Sequence, residues 1–459
     1  MKQLTIWIYC VVLISLSCVS KQQTESSRHE MEHTDAGDKS YTITVFLTGY
    51  ELGALKPCGC SGGQLGGLDR RTAVFDTVPE VQRLIIDTGS LVKSESEQDL
   101  IKFNIIIQAF DLLGYDLIHF NQHDLEIISN NFGSLDGYKS IMNIIAQSGP
   151  TGLDAPVKFI QRFQLHEKII DVTVATVDVN STPVEFIKEL YTSDTDFESE
   201  PADYSVNILI LNHCDMKLIE SIAKNAPSVD CLICPSDSDE PHIAGGLNNR
   251  PLAFSIGRKG RYITKLEIDT SQMDNRPKLS FQTEKVTEDL KQDEALVNLY
   301  KDYQKIVKDR NLLENYPRFT LPDGLHYAGS ESCNICHQYA YIEWMGKPHA
   351  NAFATLEEVG SQYDPECVKC HVVGMEYESG FISESKTPLM KDVGCEVCHG
   401  PGSKHNAYPN EINMPIAEPN SVCIECHTPE HSDDYAGHEE EKLLLIQHWP
   451  EPNDLSDVK

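Results

Sequence analysis

Four short segments repeat one spacing in the last third of this 459-residue chain: CNICH (333–337), CVKCH (367–371), CEVCH (395–399) and CIECH (423–427). Nothing else in the sequence constrains the fold as strongly. C-x-x-C-H is the pattern of covalent haem attachment, in which two thiols form thioethers with the porphyrin and the next histidine binds the iron. A single C-x-x-C also fits half of a zinc site. Two zinc sites do not explain a histidine directly after every second cysteine. Cys333, Cys336, Cys367, Cys370, Cys395, Cys398, Cys423 and Cys426 are therefore expected to hold four covalently bound c-type haems, with His337, His371, His399 and His427 as proximal ligands. So few residues per haem leave little material for an ordinary apolar core. The porphyrins are expected to supply it, wrapped in short helices and loops.

The sequence around the motifs narrows this further. HYAGSESCNICHQYAYIEWMGKPHANAF, DPECVKCHVVG, VGCEVCHGPGSKH and CIECHTPEHS together resemble the tetrahaem cytochrome c-554 family, over about residues 326–450. That family carries electrons away from hydroxylamine oxidoreductase and has three bis-histidine haems and one five-coordinate haem. The resemblance implies distal ligands at His349 (KPHANAF), His405 (GPGSKH) and His448 (LLIQHWP). His326, His431 and His438 read equally well as surface histidines, and an axial methionine at Met345, Met375, Met390 or Met414 would depart from the family pattern.

Covalent haem attachment in bacteria happens outside the cytoplasm, and the N-terminus agrees. Lys2 precedes an apolar run from Leu4 to Leu16 that is too short to span a bilayer and fits a signal peptide. Its end at Ser17-Cys18 resembles a bacterial lipobox, with Ser15 where leucine is usual, so residues 1–18 imply a lipid anchor on Cys18 or plain cleavage. Residues 19–40 are polar and aperiodic, a flexible tether. The formal charge of −32 argues against nucleic-acid binding and for a basic or electrostatically steered redox partner protein.

Residues 41–282 alternate short β-branched runs (YTITVFLT, QRLIID, VTVATV, SVNILIL, DCLICP) with helical periodicity in DLIKFNIIIQAFDLLG and DMKLIESIAK. An α/β domain follows, joined to the mainly α, haem-packed segment 326–450. Residues 283–325 are the connector, with one long helix expected over 284–313, and 451–459 are an acidic tail. The order of landmarks in GGLDRRTAVFD, LIIDTGS, LGYDLIHFNQHDLE and SIGRKGRYITKLEID resembles the metallophosphoesterase domain of bacterial 5′-nucleotidases. Such an enzyme needs several carboxylate, histidine and amide ligands for two metal ions. At the matching positions this chain has Tyr50, Leu52, Ser90 and Gln122, with only His123, His213 and His242 left. Hydrolysis is expected to be lost.

Five cysteines remain after the signal peptide, the lipobox and the haem motifs: Cys58, Cys60, Cys214, Cys231 and Cys234. All lie in the α/β domain, four of the five on segments expected to gather where the metals of the hydrolase would be. Three readings stay open for them: structural disulfides, a new metal site with His123, His213 or His242, or a redox-active thiol site centred on Cys58 and Cys60. Arg70 and Arg71 either activate such thiols, bind an anion or form a solvated face. The whole reads as an exported multihaem cytochrome whose degenerate phosphoesterase-like domain carries cysteine chemistry on a small oxyanion. The alternatives are a plain electron carrier with a docking domain and a surviving nucleotidase fused to a cytochrome.

Overall fold

Strand β1 (Thr42–Thr48) sends Ile43, Val45 and Leu47 to one side and Phe46 to the other, and all four are fully buried. A strand that is apolar on both faces must lie inside a layered structure. The computed structural model describes residues 41–57, 63–146, 153, 155–191, 200–245, 250–271, 276–414, 419–428, 431–432 and 435–448. In it β1 sits in a six-stranded mixed sheet with β2 (Arg83–Asp87), β3 (Leu117–Phe120), β4 (Asn143–Ala146), β11 (Tyr262–Asp269) and β12 (Lys278–Lys285), in the order β12-β11-β1-β2-β3-β4. A second six-stranded sheet runs β5-β6-β7-β8-β10-β9, from β5 (Lys158–Leu165), β6 (Lys168–Val177), β7 (Tyr204–Leu211), β8 (Cys231–Ile233), β9 (His242–Gly245) and β10 (Leu252–Ser255).

The two sheets face each other across one core, where Ile43, Val45 and Ile86 meet Val172, Ile208 and Phe254. The outer face of the first sheet packs on helix α1 (Glu97–Leu113) through Phe46, Ile85, Phe103 and Phe110. The outer face of the second packs on helix α2 (Met216–Asn225) through Leu209, Ile219 and Ile222. The result is a four-layer α/β/β/α stack, the α/β class expected from the sequence.

The connector differs from its expectation. Its first residues finish β12, paired with β11 in full register from Asp269↔Lys278 to Tyr262↔Lys285. The helix, α3, spans only Glu294–Asp309, because the Asp293 carboxylate accepts the Ala295 and Leu296 amides and sets the N-terminus there. Leu296, Tyr303 and Val307 of α3 then bury into the same core as α1.

Past Pro317 the chain is short helices and turns around a small apolar cluster of Phe353, Val368, Val372, Met375, Phe381 and Met390. No helix among the described residues is long and apolar enough to cross a membrane. From Tyr41 onward the chain forms one compact unit.

Candidate functional site

Each C-x-x-C-H segment closes a single tight turn. In the first and last, the His337 and His427 amides donate to the carbonyls of Cys333 and Cys423, at 2.9 and 2.8 Å. In the third, Cys395–His399 is itself one short helix. In the second, Asp364 caps helix α4 (Pro365–Val368) by accepting the Glu366 amide, and the His371 amide donates to the Val368 carbonyl. Such turns keep two thiols and the following imidazole together within five residues.

Tertiary folding then sets these histidines opposite others. The His337 and His405 ring centroids are 6.1 Å apart, those of His349 and His427 6.2 Å, and those of His399 and His448 6.2 Å. Two imidazoles on opposite sides of one metal ion, each bonded at about 2 Å, have centroids roughly 6 Å apart. Carbonyls and a hydroxyl orient several of the rings. His371 Nδ1 lies 2.6 Å from Ala352 O, His405 Nδ1 2.5 Å from Ile412 O, and His427 Nδ1 2.9 Å from Ser432 Oγ. With Nδ1 engaged, Nε2 is the nitrogen left to face a metal. Burial, then the neighbouring His427 and His371, hold the His349 imidazole below the ordinary histidine range, the neutral form that binds metal.

The thiols fall in a definite order. Cys333 hydrogen-bonds Cys395, Cys398 interacts electrostatically with Cys423, and Cys426 hydrogen-bonds Cys370. The four motifs therefore run first, third, fourth, second through space. A cavity of about 2040 Å³ carries Cys367, Cys370, Cys398, Cys423 and Cys426 on its walls, with His349, His371 and His427. The residues present fit covalently held haem in their thiols, their paired imidazoles and this volume.

Glu396, between the two cysteines of the third motif, is a residue that sequence reasoning missed. Its buried carboxylate accepts the amides of Ala328, Gly329 and Gly402 at 2.7–3.0 Å and ties the first motif to the third. Nothing in its local sequence signals this, because the residues between haem cysteines are free to vary. Of the other histidines, His326 and His438 are exposed, while the His431 carbonyl accepts the Gln64 amide.

In the α/β region a second cavity, of about 220 Å³, opens at the carboxyl ends of β1, β2, β3, β7 and β8. It is lined by Tyr50, Asn121, Gln122, His123, Asn212 and Cys234, among others. Tyr50, Leu52 and Ser90, which the sequence resemblance sets at metal-ligand positions, all have left-handed backbone, with φ of 50°, 50° and 54°. That conformation costs about 1–2 kcal/mol for a residue other than glycine. It is held by bonds between the two loops: the Tyr50 amide donates to Gly89 O and the Leu52 amide to Ser90 O. The amide side chain that reaches Ser90 Oγ, at 2.6 Å, is that of Asn121 and not of the adjacent Gln122. Nearby acids are committed to structure. Asp124 accepts the amides of Ser90 and Leu91, and Asp87 accepts the Thr48 hydroxyl and the Gly89 amide. Burial, then the Glu51 charge, pushes Asp87 well above the ordinary carboxylate range.

The three described α/β cysteines, Cys214, Cys231 and Cys234, do not gather as one group. Cys214 and Cys234, just beyond the ends of β7 and β8, form a disulfide. Cys231 points into the core between the sheets, where burial raises its thiol pKa far above the ordinary value. Among the described residues no group of three or more His, Cys, Asp or Glu side chains is arranged to hold a metal ion. His213 and His242 instead face Asp215 and Asp237. Cys58 and Cys60 lie outside the described residues, as do Cys18, the leader, the tether and the acidic tail. Arg70 and Arg71 are not a solvated face: both are buried. Arg71 sits on Glu51 at 2.6 Å with both side chains fully inaccessible, and Arg70 donates to the carbonyls of Gln64 and Gly66.

Comparison with known proteins places these two regions. Residues 332–400 match the family model described as "Cytochrome c554 and c-prime". Cytochrome c-554 of Nitrosomonas europaea is 33% identical over 105 residues, covering 18% of this chain and 45% of that protein. The chain thus spans less than half the length of this curated relative. The solved structures similar to this chain include the calcineurin-like phosphoesterase YfkN of Bacillus subtilis, at 13% identity and a TM-score of 0.43, covering 58% of this chain and 97% of that one. Another is a 5′-nucleotidase precursor of Thermus thermophilus, at 12% identity and a TM-score of 0.42, covering 70% of this chain and 68% of that one. The cytochrome c554 resemblance read from the sequence is met over residues 332–400.

Proposed function

We propose that this protein is an extracytoplasmic c-type cytochrome that transfers electrons through four covalently bound haems. The observation that carries this reading is the set of three histidine pairs at 6.1–6.2 Å, each joining one C-x-x-C-H histidine to a histidine from elsewhere in the chain. When bound, the haem irons supply one-electron exchange. The eight motif cysteines would anchor them, and His337, His371, His399 and His427, with His405, His349 and His448 paired to His337, His427 and His399, would hold the irons. With the three distal histidines assigned in this way, the resemblance gives the five-coordinate place to His371. Ala352 O, Ile412 O and Ser432 Oγ hold the His371, His405 and His427 rings in orientation. Export follows from where such haems are attached, and Cys18 carries the lipid anchor.

The α/β region, on this reading, is no hydrolase, since Tyr50, Leu52 and Ser90 bring no metal-binding charge. Cys214 and Cys234 are joined and Cys231 lies in the core, and the redox thiol site of this reading is Cys58 and Cys60. Pro57 and Gly63 line the same cavity as Cys367, Cys370 and His371. A small oxyanion is the substrate class that suits the thiol site.

Protein matured in a host that attaches c-type haem should contain four haems by pyridine haemochrome assay and intact mass. Its electron paramagnetic resonance spectrum should show three low-spin centres and one high-spin centre, and His405→Ala should convert one low-spin centre to high-spin. Any other haem count, or four low-spin centres, overturns the assignment. Changing Cys58 and Cys60 together to Ser should abolish reoxidation of the reduced protein by oxyanions of sulfur, selenium or nitrogen. Unchanged reoxidation would leave the α/β region a docking domain.

A further inference from the structure

Several side-chain bonds between the α/β region and the haem-bearing segment converge on one stretch. Tyr303 Oη and Gln98 Nε2 donate to the two carboxylate oxygens of Asp364, at 2.8 and 2.7 Å. Lys102 Nζ meets Glu366 Oε2 at 2.5 Å. Gln304 Nε2 donates to Val359 O at 2.8 Å and to Ser361 Oγ at 3.0 Å. Gln98 and Lys102 belong to α1, and Tyr303 and Gln304 to α3. All their partners lie within residues 359–366, which lead directly into Cys367.

Three of these side chains are buried: Lys102, Tyr303 and Asp364. A buried ammonium persists only beside opposite charge. Burial pulls Lys102 down, but Glu366, Asp364 and Asp99 outweigh it and leave its pKa above the ordinary lysine value. A fixed positive charge is therefore held on the residue next to a haem-attaching cysteine. Elsewhere, Gln64 donates to His431 O at 3.2 Å beside the fourth motif, a bond that brings no charge. In the order of motifs through space, the second stands at one end and the first at the other.

We infer that the α/β region acts on the cytochrome through one haem, the one carried by Cys367 and Cys370, and that Lys102 is the positioning residue that sets its potential. The inference rests on the reading of the four motifs as haem sites. Asp364 fixes the start of α4 against α1 and α3, and this brings Lys102 beside Glu366. A positive charge near the iron favours the reduced haem, and a negative charge favours the oxidised haem. The pair Lys102–Glu366 balances the two.

Redox titration of the full, haem-loaded chain tests this. Lys102→Met should lower one of the four midpoint potentials and Glu366→Gln should raise the same one, while Lys102→Arg restores it. In a Cys367→Ser/Cys370→Ser background, which carries three haems, Lys102→Met should shift nothing. A merely structural role would move several potentials together, without opposed signs. The inference is overturned if both substitutions leave all four potentials in place, if they move the same potential in one direction, or if the shift survives loss of the Cys367 haem. Should that last variant not fold, the opposed signs of Lys102→Met and Glu366→Gln decide alone. A wild-type haem count other than four would instead sink the haem reading itself, a separate result seen by mass before any titration.

Discussion

The two halves of this molecule are held together by different physics. The α/β region buries apolar side chains in three layers, between two sheets and against helices on both outer faces. Among the described residues the cytochrome region has one apolar cluster, eight buried residues joined by Leu313 of the connector, too small to order its many short helices and turns. Apolar burial is the main favourable term in folding, so a segment that lacks it needs a substitute. On the reading proposed above, haems held by the motif cysteines would be that substitute. The α/β half, by contrast, has an apolar core of its own. The cytochrome half, on that same reading, would draw its core from the groups that its cysteines and histidines hold.

This difference can be broken by removing haem. The full chain made without haem attachment should lose ordered structure from about residue 326 onward, while residues 41–282 keep theirs. Amide hydrogen exchange read by mass spectrometry checks it: the strands of both sheets should stay protected and the motif segments should exchange fully. Equal protection in both halves would show that the cytochrome region folds on its own apolar cluster.

A smaller effect probes the other half. Glu51 and Arg71 form a fully buried ion pair, and Arg71 also donates to the Tyr115 hydroxyl. Glu51→Ala would leave the guanidinium uncompensated, which typically costs about 3–5 kcal/mol. The expected outcome is a lower denaturant midpoint for the α/β transition with an unchanged haem spectrum. A change in the haem spectrum of equal size would mean that the two halves unfold as one.

The smallest expected effect is none. Adding Mn²⁺, Zn²⁺ or Mg²⁺ should produce no turnover of nucleotides or phosphoesters, because the side chains at the ends of β1 and β2 bond to one another and to backbone amides. Metal-dependent phosphate release that disappears in a His123→Ala variant would restore the nucleotidase reading.

Much was legible in the sequence because the chemistry involved is local. Thioether attachment needs two cysteines and a histidine within five residues, so a short repeat names the haem sites without any fold. The strands read from β-branched runs, such as YTITVFLT and SVNILIL, reappear as β1 and β7, since backbone alternation is also a short-range property. The periodicity of the connector overshoots its helix for a related reason. Helical spacing continues through Glu284 and Lys285, but pairing of those residues with β11 is a long-range bond that overrides it.

What only the tertiary structure decided is every relation between distant residues. It sets His349 against His427 rather than His337, joins Cys214 to Cys234 while sending Cys231 into the core, and brings the second motif onto α1 and α3. These pairings depend on how loops close and which surfaces bury, free energies summed over the whole chain. A local pattern carries the chemistry of each group, and the packing alone carries which groups meet.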